Sequence, residues 1–271
     1  MPRLIPACAA ILAATFVVTG CGSDSTTITL TGSSTVSPVM TDIGQLFEAQ
    51  HPHVRVDVHS GGSSRGIADL RKGTNDLAMI SRDLGAEEQD LHAIPLAYDG
   101  VTVILHADNP VAALTDEQIR AIYTGQITDW STVGGPAEPI VVVHKAAGRA
   151  TRVVFCQHFG LDEAAVQASV VIGDNAEGIK AVAGNPRAIG YVSIGAAEYE
   201  QRTGAPLKLL PLAGVPATTA ELAAGRFPAK RTLYLVGTAE PTGPVKDLVD
   251  LATSAQVDDI IRRHFFVPVA R

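Results

Sequence analysis

Three stretches of the chain pass through the same succession: a run rich in β-branched residues, a cluster of small polar residues, then apolar positions three and four apart. In the first, Ile28-Thr29-Leu30-Thr31 leads to Gly32-Ser33-Ser34-Thr35, and Val39, Met40, Ile43, Leu46 and Phe47 follow. In the second, residues 54–58 alternate apolar and polar, Ser60-Gly61-Gly62-Ser63-Ser64-Arg65-Gly66 follows, and a short helix is expected up to Gly73. The third runs from Ile140-Val141-Val142-Val143 through His144-Lys145-Ala146-Ala147-Gly148-Arg149-Ala150-Thr151 into residues 152–159. Alternation, or a short β-branched run, predicts a strand, and the three-and-four spacing predicts a helix with one buried face. Pro38 fits the first turn of its helix, where its missing N–H would have no partner anyway.

The rest of the chain keeps the alternation. Strands are expected at 76–82, 94–105, 188–193 and 231–236, and the second of these is the longest. Thr115 and Gln118 have capping-box spacing and open a helix that reaches Tyr123. Another helix opens at Asn175, and two more cover 245–252 and 255–263, whereas 206–228 reads as loop because Pro and Gly interrupt it. Strand and helix in turn predict an α/β fold on a mostly parallel sheet, with ligands received beyond the strand ends. The strands at 94–105 and 231–236 are expected to cross between two lobes, and two crossings suggest a hinge.

A helix N-terminus carries unpaired N–H groups and partial positive charge. Three such ends bearing hydroxyls and basic side chains predict a site that closes on a small oxyanion. The formal net charge of −7 argues against nucleic acid as a partner and gives no long-range pull on an anion. Local dipoles must then supply the attraction.

The N-terminus adds a location. Met1-Pro2-Arg3, an apolar run over 7–18 and Val18-Thr19-Gly20-Cys21 resemble a bacterial lipoprotein signal, with Cys21 the acylated residue. Residues 1–20 are then the signal peptide and 21–27 a flexible tether. Apart from Cys8 and Cys21 there is only Cys156, expected in the core, so neither a disulfide framework nor zinc spacing is present. No cofactor and no metal site are expected, and a monomer is the default because no coiled coil is evident.

Several motifs in order resemble the phosphate-binding proteins of bacterial ABC importers. They are Thr31-Gly32-Ser33-Ser34-Thr35, Ser60-Gly61-Gly62-Ser63-Ser64-Arg65-Gly66, Ile80-Ser81-Arg82-Asp83, Asp108-Asn109-Pro110, the run from Ile122 to Trp130, Ile189-Gly190-Tyr191-Val192 and Phe266-Val267-Pro268. The resemblance implies a two-lobed type II periplasmic-binding-protein fold with two hinge crossings. Lobe 1 would be 28–97 with 232–271, and lobe 2 would be 98–231. It implies an extracytoplasmic protein, lipid-anchored to the membrane, that captures inorganic phosphate and delivers it to the membrane subunits of an ABC permease. By position the phosphate ligands would be Ser34, Thr35, Ser63, Ser64, Ser81, Arg82, Lys145, Arg149 and Thr151. In the third loop the chain departs from the family pattern, with Lys145 for the usual arginine, Arg149 for serine and Ala150 for glycine. Lysine lacks the guanidinium fork, which Arg149 is placed to supply instead. Asp99 and Asp83 are the carboxylates considered near the ligand.

Two other functions are open to these residues. One is binding or sensing of another oxyanion, such as sulfate or a phosphonate. The other is hydrolysis, because Gly62-Ser63-Ser64-Arg65-Gly66 matches G-x-S-x-G with Ser64 as nucleophile and His264 downstream. Against an enzyme, the same turn chemistry recurs in two other loops, which a triad does not need.

Overall fold

A computed structural model describes residues 25–270. The expected signal peptide and Cys21 lie outside the described residues, and Thr26 and Thr27, expected in the tether, instead begin the first strand.

The first half of the chain alternates as its pattern predicts: β1 (Thr26–Gly32), α1 (Ser37–Gln50), β2 (Val54–Ser60), α2 (Ser63–Arg71) and β3 (Leu77–Ile80). The long strand β4 (His92–His106) follows, then α3 (Asp116–Tyr123), β5 (Val141–Lys145), α4 (Ala150–Phe159), β6 (Val170–Ile172), α5 (Asn175–Ala183) and β7 (Ala188–Ser193). Next are α6 (Ile194–Arg202), β8 (Leu207–Leu209) and α7 (Thr219–Ala223), then β9 (Lys230–Gly237), α8 (Gly243–Ala252), α9 (Asp258–Arg263) and β10 (Val267–Pro268). Thr115 closes the capping box with Gln118 at the start of α3.

The sheet order is β2-β1-β3-β9-β4-β7-β5-β6, with β8 and β10 also on β4. The expectation of a mostly parallel sheet is corrected here. The pairs β1–β2, β1–β3, β5–β6 and β5–β7 are parallel, but every pair that includes β4 or β9 is antiparallel. Helical crossovers enforce parallel pairing only between strands that a helix connects directly. β4 and β9 are instead the strands by which the chain leaves one half-sheet and returns to it.

β4 changes partner midway. Residues from His92 to Gly100 pair with β9, and from Val101 onward β7 takes over. The apolar cores divide at the same place. On one side Leu30, Met40, Phe47, Leu77, Leu233 and Ile261 pack together, and Ala78, Ile80 and Val236 cover the opposite face of their strands. On the other side Val103, Tyr123, Trp130, Phe155 and Tyr191 form one core, and Ile104, Val143, Ile179 and Val192 form another. Trp130 is fully buried, its indole N–H donating to the Arg187 carbonyl at 2.9 Å, and Cys156 is a core residue whose thiol burial pushes up to about 11.

Candidate functional site

The polar turns at the starts of α1, α2 and α4 meet at one small cavity. It is lined by Ser33, Ser34, Thr35, Gly62, Ser63, Ser81, Lys145, Arg149, Ala150, Thr151 and Gly173. None of the three helices has a side-chain cap, although α3, α5, α6 and α7 are all capped by a Thr, Asp or Ser side chain. The first-turn N–H groups of helices without such caps are left for another acceptor. Gly62 makes one of these turns possible: at φ 94 it takes a conformation that favours glycine, and a Cβ there would lie 3.0 Å from the Arg149 side chain.

The hydroxyls are occupied across loops rather than within their own helices. Ser33 Oγ donates to Ser81 Oγ at 2.8 Å and accepts from the Thr35 N–H, while Ser63 Oγ accepts from the Ser81 N–H. Asn175 Nδ2 donates to Thr35 Oγ1 at 3.1 Å, so the turn before α1 is tied to the start of α5. Thr35, Ser63, Ser81 and Thr151 are all buried.

Arg231, on β9, organises this cluster. Its guanidinium donates to Thr35 Oγ1 at 3.1 Å, to Thr151 Oγ1 at 3.0 Å and to the Ser81 carbonyl at 3.2 Å. Two further bonds from Nε and Nη2 reach Asp99 Oδ2, whose other oxygen accepts the Gly195 N–H. Asp99 is therefore fully engaged by protein donors.

Lys145 and Arg149 contrast with it. Among the described residues neither makes an ion pair with a carboxylate. Burial, and then the charge on Arg231, lower the Lys145 ammonium to about 7. Behind it, the Tyr191 hydroxyl accepts the Lys145 N–H and bonds His144 Nδ1 at 2.9 Å. Burial lowers His144 to about 4, so that ring stays neutral and adds no charge. The lining thus combines cationic side chains, hydroxyls and helix N-termini, and it contains no Asp or Glu.

The family model for the PBP superfamily domain matches residues 18–255. The chain belongs to the PBP superfamily. A phosphate-bound crystal structure from Clostridium perfringens, assigned as a phosphate ABC transporter substrate-binding protein, superposes with a TM-score of 0.83 at 31% identity, covering 90% of this chain and 100% of that one. An ABC-type phosphate transport receptor from Vibrio cholerae gives 0.73 at 29% identity over 89% of this chain and 100% of that one. Among curated relatives, the phosphate-binding protein PstS of Bacillus subtilis is 25% identical over 252 residues, 90% of this chain and 81% of its own.

In this PBP-superfamily chain, seven of the nine sequence-predicted ligands share the cavity: Ser34, Thr35, Ser63, Ser81, Lys145, Arg149 and Thr151. Ser64 and Arg82 line a neighbouring cavity instead, with Asp83, Gln157 and an edge of Arg231. Arg82 is held there by Glu88 through bonds of 2.6 and 2.8 Å, and Ser64 N–H donates to the Gly148 carbonyl. Among the described residues no hydrogen bond joins Ser64 to His264, whose Nε2 bonds Asp42 at 2.8 Å. Sequence reasoning missed Arg231 and Asn175 as site residues. Arg231 offered one signal, a cation at the start of an apolar strand. Asn175 resembled only a helix-opening residue.

Proposed function

We propose that the chain is an extracytoplasmic substrate-binding protein that captures inorganic phosphate in this cavity and passes it to the membrane subunits of an ABC permease. The observation that carries this reading is the convergence of Lys145 and Arg149 with five buried hydroxyl residues and three helix N-termini that lack side-chain caps, with Arg231 bonded to Thr35, Ser81 and Thr151 behind them. The lining offers cationic and hydroxyl donors and no carboxylate, which suits an anion. Relatives named as phosphate-binding and phosphate-transport proteins agree with it.

Ser34, Thr35, Ser63, Ser81, Lys145, Arg149 and Thr151 would hold the anion, and Arg231 would be held against them by Asp99. Two lobes, 28–97 with 232–271 and 98–231, would close on it by rotation about β4 and β9. Acylation of Cys21 would keep the protein at the outer face of the membrane as a monomer. No catalytic step is needed.

One feature favours a second anion. With no carboxylate in the lining, no charged acceptor meets the proton that hydrogen phosphate carries, so sulfate would be received as well. Calorimetry on dialysed protein, with phosphate and sulfate in competition, tests both. Saturable 1:1 phosphate binding is expected, weakened by Thr35→Ala by about 1–3 kcal/mol because the anion loses a buried hydroxyl donor. No heat with either anion would refute oxyanion capture, and equal affinities would replace phosphate specificity by general oxyanion binding.

A further inference from the structure

Beside the anion cavity lies a second, far larger one. The anion cavity has a volume of about 10 Å³, near the smallest space that takes one water, whereas its neighbour has about 260 Å³. Ser34 and Thr35 line both, so the two spaces share a wall. The larger one runs between the start of α1 on one side and α5 and α6 on the other. Its surface is largely apolar, formed by Pro38, Ile179, Ala196 and Phe266, with Tyr199 and Glu200 also in the lining.

A site made only for a small inorganic anion has no use for an apolar space on the other side of its wall. Ligand sites that take organic molecules combine such a surface with a few fixed polar groups. Asn175 supplies one at the junction. It lines the larger cavity, is only 6% exposed, and donates through Nδ2 to Thr35 Oγ1. Its Oδ1 has no hydrogen-bond partner; with the amide turned over, Oδ1 would accept from the Thr35 hydroxyl and Nδ2 would be the unmatched end, a donor for an oxyanion oxygen. A buried polar atom without a partner is costly, so this one marks a place where a ligand group completes the site.

We infer that the protein accepts organophosphorus oxyanions, namely phosphonates and phosphate monoesters with a small organic substituent. The oxyanion head sits among Thr35, Ser63, Lys145 and Arg149, and the substituent occupies the adjoining apolar cavity past Ser34 and Thr35. The inference rests on the proposed oxyanion site and extends it from inorganic phosphate to a wider class of ligand.

The test is calorimetry with inorganic phosphate, phenylphosphonate and phenyl phosphate on the wild type and on Ala176→Trp. Ala176 is exposed at the start of α5 and lines only the larger cavity, so an indole there fills the space without touching the anion donors. Both phenyl ligands should bind the wild type no more than tenfold weaker than phosphate. In Ala176→Trp their affinity should fall at least tenfold, with that for phosphate kept within twofold. If this variant does not fold, Ala196→Leu on α6 fills the same cavity from the other side. Phosphate binding with phenyl ligands a hundredfold weaker or absent overturns the inference and leaves the phosphate reading intact. Equal losses for all three ligands in the filled variant also overturn it. If neither phosphate nor the phenyl ligands bind, the underlying site assignment falls and this inference falls with it.

Discussion

Asp99 and Arg231 stand directly opposite each other in the β4–β9 ladder and form a fully buried ion pair at 2.7 Å. The two strands that join the halves of the molecule therefore carry the charge pair that aims a guanidinium at Thr35, Thr151 and Ser81. Burying both charges is expensive, and the pair is tolerable because almost every donor and acceptor is matched.

Asp99→Asn should accordingly destabilise the anion-free protein by about 3–5 kcal/mol, the cost of leaving a buried charge without its partner. A bound anion would return a negative charge to Arg231's surroundings. The rise in melting temperature on saturation with phosphate should then be larger in Asp99→Asn than in the wild type. Thermal unfolding with and without phosphate measures both quantities. Equal shifts in the two proteins would mean that the anion does not feel Arg231.

The pair also shows where sequence reasoning stops. The strand–turn–helix units at Thr35, Ser63 and Thr151 were legible because each is local: a few β-branched residues, a small-residue turn and a helical spacing written in one stretch. Their hydroxyls and Lys145 do meet at one cavity. Arg231 and Asp99 are 132 residues apart in sequence and are joined only by antiparallel register, which no local pattern encodes. The same cause hid the mixed sheet, since strand direction at β4 and β9 depends on which strands they meet. Ser64 and Arg82 enter through the family resemblance, beside Ser63 and Ser81. One residue along a helix start or a strand end is enough to turn a side chain to another side. Within 206–228 the Pro and Gly residues concealed α7, whose five residues are too few to show a period.

Lys145 gives a pH dependence. In the empty site its ammonium is lowered to about 7, by burial first and by Arg231 second. A bound anion favours the charged form and raises that value again. Between the two values binding takes up a proton, so affinity falls as pH rises above about 7, and Lys145 contributes no slope below it. Lys145→Arg stays protonated throughout and should lose this part of the slope. Phosphate's own titration is common to both proteins, so the difference between their affinity profiles isolates the lysine. Parallel profiles from neutral to alkaline pH would show that Lys145 does not contact the anion.

Arg82 and Ser64 supply the negative controls. The hydrogen bonds from Arg82, ahead of its charge alone, hold the Glu88 carboxyl below its ordinary range. A lowered carboxylate stabilises the fold above its unfolded value, and that contribution is lost as pH falls through the lowered one. Arg82→Ala should cost about 1–3 kcal/mol near neutrality and flatten this acid-side loss. Phosphate affinity should change by less than twofold, as should that of Ser64→Ala, and a fluorophosphonate probe should leave Ser64 unlabelled. A tenfold loss of affinity in either variant would return these residues to the anion site.

Gly62 is where the turn before α2 faces the turn before α4. Ser64 N–H donates across to the Gly148 carbonyl at 3.3 Å, and a Cβ on Gly62 would come within 3.1 Å of that same carbonyl and 3.0 Å of Arg149 Cδ. Contacts that close force the neighbour to move, and here the neighbours belong to the loop that carries Lys145 and Arg149. Gly62→Ala should therefore act in two ways. Its φ of 94 and ψ of 154 fall in a region open essentially to glycine alone, and impose a backbone cost of about 1–3 kcal/mol on any residue with a side chain. The methyl should also hold the two turns apart, so that the anion no longer meets both at once. Gly73→Ala separates the two effects, because Gly73 also has a positive φ, of 68, but nothing lies within 4 Å of its added Cβ. Gly62→Ala should lose the more stability, and only Gly62→Ala should lose phosphate affinity, by at least tenfold. If the two variants bind phosphate equally well, closure of these turns on each other is not part of how the anion is held.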